Sequence, residues 1–113
     1  MSMSDPRGPW NINGNGYPGL LWIEGVDALG NLLSSSTVYG NPIIGFWDAA
    51  AQKITFLRVI NSGDPSSLQI YTGYLMQPQT GGSLALAGSF EAFQGTGAVA
   101  ERVVYGWYAL RPG

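Results

Sequence analysis

The chain contains no histidine and no cysteine, which narrows the chemistry open to it. A Ser-His-Asp triad, a Cys-His pair, a disulfide and a thiolate zinc site are all excluded. Acid–base work would have to rest on carboxylate, tyrosine or lysine. Glu24, Asp48, Glu91 and Glu101 are the carboxylates that could act in pairs, as those of glycosidases do, but their spacing singles out no pair. Arg58 stands apart because it sits in an otherwise apolar run, Phe56-Leu57-Arg58-Val59-Ile60. Facing inward and paired with Glu24 or Glu91, it would anchor an acidic ligand. Facing outward, its stem would cover apolar surface while its head reached water.

The other residues suited to a small-molecule site are aromatic walls and a few polar contacts. Trp10, Trp22, Trp47, Tyr71 and Trp107 are candidate walls, and Asn13, Ser36, Tyr39 and Arg58 are candidate polar contacts. The segment Ser34-Ser35-Ser36-Thr37 could turn alternate hydroxyls toward a polar ligand, or it could be a solvated edge. Aromatics in a small barrel also serve as core or pack at interfaces. The ligand-binding set read from the sequence is Asn13, Trp22, Ser36, Tyr39, Trp47, Arg58, Tyr71 and Trp107. No catalytic residue, metal or cofactor is assigned.

Charge bounds the partners. Only 11% of residues are charged, against about a quarter in an ordinary soluble domain. Arg7, Lys53, Arg58, Arg102 and Arg111 are scattered and the net charge is −2, so no basic stripe exists to neutralise a run of phosphates. Nucleic acid is disfavoured. The opening residues Met1-Ser2-Met3-Ser4-Asp5-Pro6 lack a basic and an apolar region, and no apolar run approaches the roughly 20 residues that span a bilayer. The expectation is a cytoplasmic protein with no membrane partner. The Gly/Asn loop Gly14-Asn15-Gly16-Tyr17-Pro18-Gly19 lacks the strand-before, helix-after setting of a phosphate-binding fingerprint and reads as a turn.

The elements that must position these residues are strands. At 113 residues the chain suits one core, and residues 1–113 read as one domain with 1–9 as an N-terminal extension, a tail that frays unless docked on a neighbour. Strands are predicted at Trp10–Asn13, Leu20–Val26, Leu32–Tyr39, Ile43–Asp48, Lys53–Ile60, Leu68–Gln77, Ser83–Phe93 and Glu101–Arg111. The intervening turns are rich in Gly, Asn, Asp and Pro. Asp48 and Lys53 close the clearest hairpin across Ala49-Ala50-Ala51-Gln52 and mark its register. Gly73, Gly88 and Gly106 fall in mid-strand. With turns near Thr80-Gly81 and Gly97 they would form a row across the sheet, Gly73 opposite Gly88 and Gly88 opposite Gly106, where the sheet can bend sharply. Short consecutive connections imply a meander, and eight strands in that order can close on themselves.

Several strands are apolar on both faces. Leu68, Ile70, Tyr74 and Met76 oppose Tyr71 and Leu75. Val104, Tyr108 and Leu110 oppose Val103, Tyr105, Trp107 and Ala109. A small barrel has one interior, so the outer apolar face calls for a second cover. The economical cover is another copy of the chain, and a homo-oligomer is expected.

The meander of short strands, the first-strand tryptophan in Gly8-Pro9-Trp10-Asn11, and the aromatic strands Gly45-Phe46-Trp47-Asp48 and Tyr71-Thr72-Gly73-Tyr74 resemble the avidin/streptavidin branch of the calycin barrels. The resemblance implies an eight-stranded antiparallel up-and-down barrel, a ligand pocket at one end with aromatic walls, and assembly through the later strands. The place of the family's pocket asparagine, two residues after the tryptophan, holds Ile12, flanked by Asn11 and Asn13. The expected function is non-enzymatic binding of a small apolar or mixed-polarity molecule inside the barrel. The alternatives are a filled barrel that works through its outer surface, and a lipocalin-like enzyme on an apolar substrate.

Overall fold

The computed structural model describes residues 3–64, 67–77, 82–94 and 101–112. It contains eight strands: β1 (Gly8–Gly14), β2 (Tyr17–Ile23), β3 (Thr37–Val38), β4 (Asn41–Asp48), β5 (Lys53–Arg58), β6 (Gln69–Met76), β7 (Ala85–Gln94) and β8 (Glu101–Leu110). Each pairs antiparallel with the next, and β1 pairs with β8, so the sheet is a closed barrel in meander order. Closure gives every strand two neighbours and leaves no edge to be covered.

The hairpins follow from local chemistry. Asn15-Gly16 links β1 to β2 with both residues at positive φ, 51° and 90°, which is the primed turn that matches the twist of the flanking strands. The expected loop from Gly14 to Gly19 therefore shrinks to two residues, and β2 begins at Tyr17. Asp48 and Lys53 are register partners as expected, although Asp48 Oδ1 accepts from Ala51 N–H at 3.1 Å and Lys53 Nζ lies over the Tyr74 ring. The expected strand from Leu32 to Tyr39 is shortened to Thr37–Val38. Ser36 N–H donates to Leu33 C=O, and the serine run turns rather than extends, as serine hydroxyls and adjacent backbone groups favour. The expected turns near Thr80-Gly81 and Gly97 lie outside the described residues.

Alternation decides the interior. Ile54, Phe56 and Arg58 share the inner face of β5, Gln69, Tyr71 and Gly73 that of β6, and Tyr105, Trp107 and Ala109 that of β8. Phe56, Tyr71, Phe90 and Tyr105 are direct cross-strand partners along β5 to β8. Their rings form a ladder: Phe56 and Tyr71 stack at 4.7 Å, Tyr71 and Phe90 at 4.6 Å, and Phe90 meets Tyr105 at 5.4 Å. Trp107 abuts Phe56 and Tyr71 edge-on at 6.0 and 5.8 Å. Contacts of these kinds add about 0.5–1.5 kcal/mol each beyond area burial.

Of the expected glycine row, Gly73 pairs with Gly88, whereas Gly88 pairs with Trp107 and Gly106 with Ser89. Sliding β8 by one residue to align Gly106 with Gly88 would turn Tyr105, Trp107 and Ala109 out of the barrel. The two aligned glycines mark a close approach. A Cβ on Gly88 would overlap the Thr72 carbonyl oxygen, and one on Gly73 would lie 2.6 Å from Trp107 Cζ2. The indole thus lies across Gly73, and its Nε1–H is shared between Thr72 C=O and Ser89 C=O, each at 3.1 Å.

One end of the barrel is plugged by the chain's own N-terminal segment. Met3 and Gln52 exchange hydrogen bonds (Met3 N–H to Oε1 at 2.7 Å, Nε2–H to Met3 C=O at 2.8 Å), and Trp47 Nε1–H also donates to Met3 C=O. Trp10 Nε1–H donates to Pro6 C=O, and Pro6 is fully buried. Arg111 reaches Arg7 C=O and lies over the Trp10 ring at 4.9 Å. These bonds satisfy the indole donors that burial would otherwise leave unpaired.

Gly88→Ala should destabilise the barrel by about 1–3 kcal/mol, because backbone must move to admit the methyl. Gly106→Ala, whose Cβ would meet nothing nearer than Gly88 O at 3.9 Å, should stay within about 0.5 kcal/mol of the parent. Urea melts of the two variants check this, and equal effects would show that the bend does not depend on Gly88.

Candidate ligand-binding site

A cavity of about 480 Å³ opens at the barrel end opposite the N-terminal plug, within the size range of small-molecule sites. Its floor is the aromatic ladder, where Tyr71 and Phe90 are 1% and 7% exposed. Tyr105 continues the wall on β8, and Tyr39, Arg58 and Gln69 supply polar groups near the mouth.

Tyr39 is fixed by its turn. It and Gly40 form the two-residue link from β3 to β4, with φ of 51° and 78°, a left-handed conformation that is uncommon for an aromatic residue. Its ring occupies the space over Gly19, where a Cβ would overlap it. Its hydroxyl accepts from Gly14 N–H at 2.9 Å and donates to Tyr17 C=O. The strained turn is thus held by two hydrogen bonds that aim the ring at the cavity mouth.

Arg58 faces inward, as one of the two orientations read from the sequence requires, but without a carboxylate. Its Nε–H donates to Asn41 Oδ1 at 2.9 Å and its Nη1–H to Gln69 Oε1 at 3.0 Å, and its guanidinium lies over the Tyr39 ring at 4.8 Å. Glu24 instead accepts from Trp22 Nε1–H, and Glu91 sits between Ile70 and Val104 on the outer face. Gln69 Oε1 also accepts from the Tyr71 hydroxyl at 2.8 Å. Asn41, Arg58, Gln69 and Tyr71 therefore form one hydrogen-bonded chain from the rim to the floor.

Of the residues read from the sequence, Tyr39, Arg58 and Tyr71 come together at the cavity. The other five lie elsewhere. Asn13 Oδ1 accepts from Gly16 N–H and braces the β1–β2 turn. Trp22 bonds Glu24, an exposed residue. Ser36 is fully buried with its hydroxyl accepting from Glu24 N–H. Trp47 serves the plugged end, and Trp107 supports the ladder from below. Gln69, Phe90, Tyr105 and Asn41 were missed. The signal for Phe90 was present, because pairing Gly73 with Gly88 also sets Tyr71 opposite Phe90.

Among the described residues the lining holds no carboxylate, and no three metal-binding side chains come together. What the arrangement can do is stack a flat group, donate hydrogen bonds and offer one positive charge. Burial pushes the Tyr71 phenol above its ordinary value of 10.0, partly offset by the nearby Arg58 guanidinium. The folded state then keeps this proton at pH values where the unfolded chain releases it, so stability is intact below about pH 10 and falls as pH rises beyond. In an ultraviolet titration Tyr71 should ionise later than a free phenol, and Tyr71→Phe should remove that late step.

No protein-family model and no curated protein matches the chain. Among solved structures, the crystal structure of the rhizavidin–biotin complex matches it with a TM-score of 0.62, covering 94% of each chain at 14% sequence identity. At that identity the likeness concerns the fold. Eight antiparallel strands in meander order, closed around one aromatic interior and open at one end, give this chain the avidin-like fold.

Proposed function

We propose that the protein is a non-enzymatic binding module that holds a small molecule of mixed polarity in the open end of its barrel. The observation that carries this reading is the cup itself: an aromatic floor of Tyr71 and Phe90 below a polar rim fixed by the Asn41–Arg58–Gln69–Tyr71 hydrogen bonds. Fixed polar groups convergent on an apolar cavity are what a specific small-molecule site needs. The rhizavidin of the comparison is complexed with biotin, so biotin is one of the first probes. Calorimetry and thermal shift against biotin and planar metabolites should yield a ligand that binds once per barrel and stabilises it, by about 2.7 kcal/mol at a hundredfold excess over Kd. Ala92→Phe, which fills the cup from the buried Ala92 in its wall, should abolish binding in a folded variant. Binding that survives this substitution would put the site elsewhere.

We infer also that the outer apolar face is covered by a second copy of the chain. Ile44, Leu57, Ile70 and Val104 align across β4 to β8 with Glu91 alone among them, and Ile44 and Val104 are 66% and 64% exposed. Tyr74 and Tyr108 flank Ala87 in a parallel row, and Met76 and Leu110 flank Ala85. Apolar rows of this extent are unusual on a monomer. Light scattering should return a multiple of the 12.0 kDa chain mass, and Val104→Lys should lower it. A 12.0 kDa particle for the parent protein at micromolar concentration would overturn the inference.

A further inference from the structure

We propose that the cup selects a small planar carboxylate, with Arg58 as the anion-binding residue. This rests on the binding function proposed above and names its ligand class.

The inference starts from a charge without a counter-charge. Arg58 is half-buried on the inner face of β5, and its hydrogen bonds to Asn41 and Gln69 go to neutral amide oxygens. Among the described residues no carboxylate lines the cavity. Among the described residues the ion pair is Arg7 with Asp5, in the N-terminal segment. Taking a guanidinium partly out of water costs free energy that neutral partners offset incompletely. The chain carries a net charge of −2, so this positive site stands against the sign of the molecule as a whole.

The donor count points the same way. Arginine can only donate, so Asn41 and Gln69 must turn their amide oxygens to it. Gln69 Oε1 is further occupied by the Tyr71 hydroxyl, and the Tyr39 hydroxyl is committed to Gly14 and Tyr17. A guanidinium carries five N–H donors, so Arg58 keeps donor capacity beyond its bonds to Asn41 and Gln69. The rim therefore presents spare donors and one positive charge, with no carboxylate among the described residues of the lining. An acceptor-rich monoanion completes it, and the flat fork of a guanidinium matches a planar carboxylate. A phosphate dianion would ask for more than a single cation. The aromatic floor and walls set the rest of the ligand as flat and apolar, within about 480 Å³.

Calorimetry at neutral pH with 2-naphthoate and indole-3-acetate, each beside its primary amide, tests this on the full chain. The acids should bind at least about tenfold more tightly than the amides, the effect of a charge-assisted hydrogen bond. Arg58→Gln should erase the preference, and Arg58→Lys should retain part of it through charge without the fork. Gln69→Glu keeps Arg58 and places a carboxylate on a partner it already touches, so the preference should collapse there too. This variant tests the proposal even if Arg58→Gln fails to fold. Acid binding should weaken as pH falls through the ligand's own pKa, as its carboxylate takes up a proton and loses its charge. Equal binding of acid and amide, a preference that persists in the folded variants, or tighter binding of phenyl phosphate than of either acid would overturn the carboxylate assignment and leave the binding function standing. If neither the acids, the amides nor biotin bind at millimolar concentration, both readings fall.

Discussion

Tyr71 is stacked between Phe56 and Phe90, at 4.7 and 4.6 Å, and this sandwich divides the barrel in two. Below it the interior is filled by Trp107, Trp10, Trp47 and the aliphatic residues of the inner faces. Above it the interior is an open cup. The sandwich forms because Phe56, Tyr71 and Phe90 are direct cross-strand partners, and that register is shared with the close approach of Gly73 to Gly88 two pairs along. Bulk at either glycine would press on backbone or on the Trp107 indole, so the bend, the ladder and the cup stand or fall together.

The two ends solve opposite problems. At the plugged end, buried indole donors and a barrel opening are satisfied together by the main-chain carbonyls of Met3 and Pro6. An N-terminal segment of this composition would have little reason to order itself alone; it is ordered here by the acceptors it carries. At the open end the polar groups satisfy one another only in part. Gln69 links Arg58 to Tyr71 and leaves the guanidinium charge uncompensated, and a left-handed Tyr39 is held over the mouth by its hydroxyl. A filled end closed by the N-terminal segment, where among the described residues Arg111 Nη1 is left without a partner, and an open end with an uncompensated guanidinium beside a cavity are the asymmetry on which the proposed binding function rests.

Much of the fold was legible because its signals are local. Runs of β-branched and aromatic residues, turns rich in Gly, Asn, Asp and Pro, and short connections depend on residues within a few positions of each other, and they suffice for eight strands in a meander. The hairpin bounded by Asp48 and Lys53 and the Gly73–Gly88 pairing were readable in this way. The serine run was not, because the same hydroxyls suit a strand edge and a turn, and only the Ser36 bond from Glu24 N–H distinguishes them. Tyr39 was readable as a polar candidate but not as a turn residue, since its conformation is imposed by hydrogen bonds to Gly14 and Tyr17, more than twenty positions away.

By itself, the sequence excluded chemistry that needs histidine or cysteine, since both are missing, and determined that the strands would have two apolar faces. Tertiary structure decided which aromatics meet. Alternation assigns a residue to a face but not to a height along the barrel axis, so Trp47 and Trp107 looked as suitable as Tyr71 until register placed them below the stack. Tertiary structure also decided that Arg58 faces inward with amides rather than carboxylates for partners. That outcome depends on β4, β5 and β6 bringing Asn41, Arg58 and Gln69 to one level of the wall, a coincidence of register between strands that no single stretch of sequence encodes.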